Sequence, residues 1–257
     1  MIEAPVAIIT GAGSGIGRAT ALRLGDEGYA LVLAGRRRDA LAETAELCSA
    51  GEILIVPADL RKQPEAEEVI DAAAQAYGRI DLLVNNAGFG QVVPIASQTP
   101  EQFHETLLIN TYAPAWMTMR AWPVMQRQHK GCIINIGSMA IYDPYPGFFA
   151  YGASKAALAL MTLSISKEGS PVGIRAFCIA PGATETPMLR ASFDTTTLPA
   201  DKCLDPAVVA GVVARCAAGE LDTLNGQTIP VLAESAKALL WALTKAHPSA
   251  WLNMHPQ

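Results

Sequence analysis

Apolar residues along this chain gather in short runs at positions 6–10, 30–34, 53–56, 82–84, 132–136, 174–179 and 228–231, each with at most one polar residue. Continuous apolar runs of this length, without strict alternation, predict strands buried on both faces. Helix-length segments separate the runs. The first begins in a glycine cluster after residue 10 and continues through 19–24, with Gly25 and Gly28 near its end. Strands that alternate with helices pair in parallel, because a parallel partner is reached only through a crossover. The pattern therefore predicts an α/β protein: one doubly wound parallel sheet of about seven strands, with helices on both faces.

The strand-helix rhythm runs from residue 5 to about 231 without a Pro-, Gly- or Ser-rich linker or a repeat of solenoid period, so 1–257 reads as a single domain. Residues 233–257 form an atypical C-terminal tail. Within it, Leu239, Leu240, Trp241 and Leu243 predict an apolar helix at 236–246 that packs against the body. A membrane-surface role would need basic residues opposite that face, and only Lys237 and Lys245 are available.

Composition narrows the class further. With 51% apolar and 17% charged residues, 257 residues suffice for a large core with covered sheet faces, which excludes a disordered chain. The net charge is −5 and the densest basic run is Arg36, Arg37 and Arg38, too little for a nucleic-acid groove. Five cysteines lie scattered without Cys-x-x-Cys pairs, so reduced thiols are expected and no metal site. Met1-Ile2-Glu3-Ala4 does not open a signal segment and no window reaches membrane-spanning length, so a cytoplasmic protein is expected.

Thr10-Gly11-Ala12-Gly13-Ser14-Gly15-Ile16-Gly17 joins the first strand to the first helix. A helix N-terminus presents unpaired amides and a positive dipole end, and glycines let the backbone approach a pyrophosphate closely. The spacing is T-G-x-x-x-G-x-G rather than the common G-x-G-x-x-G. After the second strand come Gly35-Arg36-Arg37, where a fold that prefers NAD usually carries a carboxylate for the ribose hydroxyls. Two guanidiniums can instead pair with a 2′-phosphate, which favours NADP over NAD; a solvated turn is the plainer use of the same arginines.

Tyr151-Gly152-Ala153-Ser154-Lys155 sets a phenol and an ammonium four residues apart, on one face of a helix. A phenol ordinarily titrates near pH 10 (about 10), so a fixed cation beside it favours the phenolate and makes proton exchange feasible near neutrality. Ser138 follows the fifth strand, thirteen residues before Tyr151. These motifs, with Asn85-Asn86-Ala87-Gly88 after the fourth strand and Pro181-Gly182 after the sixth, resemble the short-chain dehydrogenase/reductase family in order and spacing over residues 5 to about 190. The resemblance implies a Rossmann-type sheet and an oxidoreductase that moves a hydride between a nicotinamide cofactor and a carbonyl or secondary alcohol.

Residue by residue, it implies that Tyr151 gives a proton to the carbonyl during reduction and takes it back during oxidation. Lys155 would lower the tyrosine pKa and bind the nicotinamide ribose, Ser138 would hold the substrate oxygen, and Asn110 would support a proton relay through water. Gly11, Ser14, Gly15, Ile16 and Gly17 would cradle the phosphates, and Asp59 would contact the adenine amino group. Asn86, Ala87 and Gly88 would line the adenosine side, Pro181, Gly182 and Thr184 would contact the cofactor, and Thr186 would bind the carboxamide. Plainer uses exist for several: Asp59 as a helix cap before Pro64, Asn110 as a polar residue satisfied within a helix, Thr186 as a cap. His104 and His129 read as surface residues.

The chain departs from the family after its last strand, where Gly226-Gln227-Thr228-Ile229-Pro230-Val231 continues into Leu232-Ala233-Glu234 instead of Asp-Gly-Gly. Substrate choice is expected in segments 89–95, 139–149 and 188–204, where Ile141, Tyr142, Tyr145, Phe148 and Phe149 suit either a wall for an apolar or cyclic carbonyl compound or, equally, packing against the lid. Small and apolar residues on the helices near Phe103 and Tyr151, among them Ala153, Ala156, Ala157 and Leu160, suit packing between subunits, and the resemblance implies a homodimer or homotetramer. Two other classes share the fold: a nucleotide-binding redox sensor without turnover, and a scaffold acting through the tail.

Overall fold

The computed structural model describes residues 2–233. The helix expected at 236–246 and the rest of the tail beyond residue 233 lie outside the described residues.

All seven expected strands form: β1 (Val6–Thr10), β2 (Ala30–Gly35), β3 (Ile53–Pro57), β4 (Leu82–Asn85), β5 (Gly131–Ile136), β6 (Ile174–Pro181) and β7 (Thr228–Val231). They make one sheet in the order β3-β2-β1-β4-β5-β6-β7, every neighbouring pair parallel. Five strands overrun the apolar runs by a residue or two. In β6, for example, Ala180 and Pro181 still pair with Pro230 and Val231.

Eight α-helices accompany the sheet among the described residues: α1 (Gly15–Asp26), α2 (Arg38–Leu47), α3 (Gln63–Tyr77), α4 (Pro100–Leu107), α5 (Ala113–Gln128), α6 (Phe149–Gly169), α7 (Pro187–Ser192) and α8 (Pro206–Ala218). Side chains alternate across a strand, and β1 shows the result. Val6 and Ile8 face a core completed by α3, α5 and α6, while Ala7 and Ile9 face one completed by α1, α2 and α8. Ile8, Ile9, Leu31 and Leu33 are fully covered, each contributing about 2 kcal/mol of apolar burial.

Two features position the site. β1 lies between β2 and β4, so the winding direction reverses there and a crevice opens beyond the carboxyl ends of β1 and β4. The long helix α6 is registered on the sheet by a buried polar ladder. Asn85 Nδ2 donates to Asn135 Oδ1 at 2.9 Å, Asn135 Nδ2 to Thr162 Oγ1 at 2.9 Å, and Thr162 Oγ1 to the Leu158 carbonyl at 2.9 Å. Lys155, Leu158, Thr162 and Ser166 follow one another down the buried face of α6, at helical spacing.

Candidate active site

One cavity of about 670 Å³ occupies the crevice. It is lined by Gly11, Ser14, Gly15, Ile16, Arg36, Arg37, Asp59, Asn86, Ala87, Gly88, Ser138, Tyr151, Lys155, Pro181, Gly182, Thr184 and Thr186. Every residue expected in the catalytic and cofactor-binding sets thus borders it, except Gly17 and Asn110, which stand behind the wall.

At the start of α1 the backbone does what the glycine pattern implies. Gly11 and Gly15 have positive φ values of 65° and 52°, a region costly to residues with a Cβ. Gly17 acts by close approach, since a Cβ there would lie 2.3 Å from the Gly11 carbonyl oxygen and 2.5 Å from Asn86 Nδ2. Ser14 precedes the helix without capping it, and no acidic residue occupies the first turn, so nothing negative competes for the positive helix end. Thr10, a residue that sequence reasoning left out of the site, pins the two loops together. Its Oγ1 accepts from the amides of Asn86 and Ala87, each at 2.9 Å, and Asn86 Nδ2 donates to the Thr10 carbonyl at 2.7 Å.

Beyond β2, Arg36 and Arg37 are exposed, and their guanidinium groups make no hydrogen bond or ion pair with a described residue. Asp59 is not a helix cap: Lys62 stands at that position of α3. Its carboxylate is held by Arg61 at 2.6 Å. Hydrogen bonds from Arg61 keep the Asp59 carboxyl below its ordinary range, against the opposing effect of burial, and Arg36 adds to the lowering. Arg61 also lines the cavity and is a third cation at this end that the sequence reading missed. Its signal was weak, because a lone arginine in a polar loop has many uses.

At the other end, Ser138 opens a short turn, its hydroxyl accepting from the Ala140 amide at 3.1 Å. Tyr151 and Lys155 project from successive turns at the start of α6. Burial raises the Tyr151 pKa, while a hydrogen bond with Ser138 pulls it down. The Lys155 ammonium lies 5.7 Å from the centre of the Tyr151 ring and donates to the Ile136 carbonyl at 2.7 Å. Burial depresses its own pKa to about 8, slightly offset by Cys178. The expected lowering of the tyrosine pKa is therefore not present in this state: desolvation of the phenol outweighs its single stabilising hydrogen bond, and the ammonium is spent on a backbone carbonyl.

Asn110 is fully buried in a π-helical turn, Leu108–Tyr112, inserted between α4 and α5. Its Oδ1 accepts from the Phe89 amide at 2.8 Å, and its Nδ2 donates to the Phe89 carbonyl at 2.7 Å and to Ser154 Oγ at 2.9 Å. The side chain thus clamps the loop after β4 to α6. Gly90 in that loop was also missed. A Cβ on Gly90 would meet the Tyr151 ring at 2.9 Å, so only glycine lets the loop lie flat against the phenol. Thr186 serves two ends: it caps α7 by accepting from the Leu189 amide at 3.2 Å, and its methyl group packs over Gly15. Of the expected aromatic wall, Tyr145 and Phe148 line the cavity and Ile141, Tyr142 and Phe149 do not. Phe149 pairs outside it with Phe103 of α4, ring centres 5.5 Å apart, and Phe193 takes a place in the wall instead.

Comparison with known proteins agrees with this geometry. The family model described as short chain dehydrogenase matches residues 5–197. An uncharacterised oxidoreductase of Staphylococcus aureus (strain MRSA252) is 32% identical over 208 residues, 81% of this chain and 88% of the relative. Among solved structures, levodione reductase superposes with a TM-score of 0.85 at 28% identity, covering 91% of this chain and 98% of that one. A 3-ketoacyl-(acyl-carrier-protein) reductase from Brucella melitensis, complexed with NADH, gives 0.84 at 27% identity, covering 90% and 98%. A parallel seven-stranded sheet, a glycine cradle at its switch point and a serine, tyrosine and lysine meeting across one cleft thus have a common origin: the chain belongs to the short-chain dehydrogenase family of NAD(P)-dependent oxidoreductases acting on CH–OH or C=O groups.

Proposed function

We propose that this enzyme favours NADP over NAD and uses Tyr151 as the general acid and base in interconverting a carbonyl compound and its secondary alcohol. The observation that carries the reading is the convergence of Ser138, Tyr151 and Lys155 on the same cavity wall as the glycine cradle, with two unpaired arginines at its far end. The cradle suits a dinucleotide because the first turn of α1 offers amides without a competing acid, and the glycines clear the approach. When bound, the nicotinamide supplies or accepts the hydride.

The chain's own residues then handle the proton and the geometry. In reduction, Tyr151 donates its hydroxyl proton to the carbonyl oxygen as negative charge develops there, and Ser138 holds that oxygen in place. Burial raises the pKa of the phenol, so it carries its proton at neutrality, and giving that proton up depends on stabilising the phenolate. Lys155, with a pKa near 8, keeps a positive charge beside the phenol that stabilises the phenolate left behind. Asn110 works behind the wall as a positioning residue, since its three hydrogen bonds fix the Phe89 backbone and, through Ser154, the first turn of α6.

The chain acts as a single domain and assembles as a homodimer or homotetramer, a reading supported by the exposed Met119, Leu160 and Leu163 on α5 and α6. Unpaired cysteines support a cytoplasmic setting. Tyr151→Phe tests the central role: turnover falls by at least ~10³-fold while the nucleotide still binds. Retained turnover refutes the assignment, and nucleotide binding without turnover in the unmodified protein, across ketones and alcohols, favours a sensor instead.

A further inference from the structure

Three aromatic rings from two separate stretches of chain cluster at the cavity, and one of them, Phe148, packs against the Tyr151 ring. Phe148, immediately before α6, has its ring centre 4.9 Å from that of Tyr151 at a tilt of 51°. Phe193, just after α7, stands edge-on to Phe148 at 6.2 Å and to Tyr145 at 5.1 Å. All three border the cavity, and their edge-to-face spacing is the arrangement aromatic pairs favour.

Charge is distributed just as unevenly. At the phosphate-cradle end stand Arg36, Arg37 and Arg61, whereas at the phenol end Lys155 is turned toward the Ile136 carbonyl. Arg190 of α7 does not border the cavity; it binds Glu185 and the carbonyls of Phe193 and Leu198. Asp143 does border it and is exposed. A carboxylate or phosphate on the substrate would therefore meet no free cation among the described residues at this end, and one like charge. Burying such a group without a partner is costly.

We infer that the substrate is a neutral, ring-bearing ketone or secondary alcohol, with Phe148 and Phe193 as the side chains that select for the ring. The inference rests on Tyr151 being the proton-transferring residue. A carbonyl held by Tyr151 has its ring beside Phe148, and Phe193 closes the same pocket from the α7 side. The selecting residues come from the 139–149 and 188–204 segments, so the pocket is complete only when the chain after β6 folds back over the site.

Steady-state kinetics of the full chain with NADPH and with NADH, on three ketones, test the idea. Acetophenone is the neutral ring ketone, benzoylformate carries the same ring beside a carboxylate, and 2-butanone lacks the ring. The expected kcat/KM for acetophenone exceeds that for benzoylformate by at least ~10-fold, and Asp143→Asn narrows the gap. In Phe193→Ala the preference for acetophenone over 2-butanone falls by about 5- to 10-fold, chiefly through KM; Phe193→Leu, which keeps most of the bulk, repeats the loss if the alanine variant does not fold. Equal or better use of benzoylformate, or an unmoved ring preference in both Phe193 variants, overturns the inference and leaves the Tyr151 reading standing. No turnover of any ketone, nor of 1-phenylethanol with the oxidised nucleotides, brings both down.

Discussion

Replacing Lys155 by methionine exposes the energetic cost of keeping a cation beside Tyr151. In the folded protein Lys155 is 4% exposed, and desolvation lowers its pKa from 10.5 to about 8. At 1.36 kcal/mol per pH unit, that interval amounts to about 3 kcal/mol. The sign follows from proton linkage. Below pH 8 the lysine is charged in both folded and unfolded chains, so the native state carries the whole penalty and shows no pH dependence from this group. Between pH 8 and 10.5 the unfolded chain binds the proton and the native chain does not, so native stability rises with pH, and above that interval it levels off. Methionine fills similar space without the charge. It also loses the bond to the Ile136 carbonyl, at about 1–3 kcal/mol, but a neutral amine still donates that bond, so this loss is nearly constant with pH. Urea denaturation of both proteins from pH 7 to 10.5, with m held common, isolates the group. Burial raises the thiols of Cys132 and Cys216 to about 12, which costs both proteins stability above pH 9 and cancels in the comparison. The Cys178 thiol, pushed up to about 11 by burial, is held down in part by Lys155, so its share does not cancel and is removed by carrying Cys178→Ala in both proteins. The wild type should gain about 2–3 kcal/mol on Lys155→Met between pH 8 and 10.5. Parallel curves would show that the ammonium is not desolvated and would remove the account of how it acts beside the phenol.

Two further outcomes follow. Arg36→Ala combined with Arg37→Ala should weaken NADPH binding by about 100-fold and NADH binding by only a few-fold, measured by titration calorimetry, because only the former loses charge-assisted phosphate contacts; equal weakening reverses the cofactor preference. Gly17→Ala places a methyl group against the Gly11 carbonyl and Asn86, so thermal unfolding should show a loss of at least ~1–3 kcal/mol together with weakened nucleotide binding. A change within 0.5 kcal/mol (about the scatter of surface substitutions) with binding intact would mean that the strand-to-helix junction is not packed as tightly as it stands here.

Much of this architecture was legible in the chain because parallel strands are buried on both sides, and such strands print themselves as runs like Ala30-Leu31-Val32-Leu33-Ala34. The ends were less legible. Gly131 and Pro181 belong to strands only because Ile174 and Val231 pair with them, partners that no local pattern names. The site divides along the same line. Motifs set by short-range geometry, such as the glycine turn and the Tyr151 and Lys155 pair, were readable, because their spacing is their chemistry. Residues that matter through distant contacts were not: Gly90 is needed by a ring on α6, Thr10 holds amides 76 and 77 positions away, and Arg61 is recruited to the cavity by Asp59. The aromatic wall failed in detail for the same reason. Five neighbouring residues looked alike, but the start of α6 turns Phe149 toward α4 and leaves Phe148 in the cavity.

The π-helical turn at Leu108–Tyr112 has a consequence for how this protein can change over time. An α-helix advances about 100° with each residue, so a wide turn holds one residue more than a regular helix of equal rise. Shortening the stretch by one residue would bring α4 and α5 into common phase and swing everything before the cut by that angle, carrying the amide of Asn110 away from the loop it grips. Away from Asn110, whose side chain makes the grip, exchange of one side chain for another leaves that phase untouched, whereas any alteration in the count resets it, so the segment behaves as a ruler.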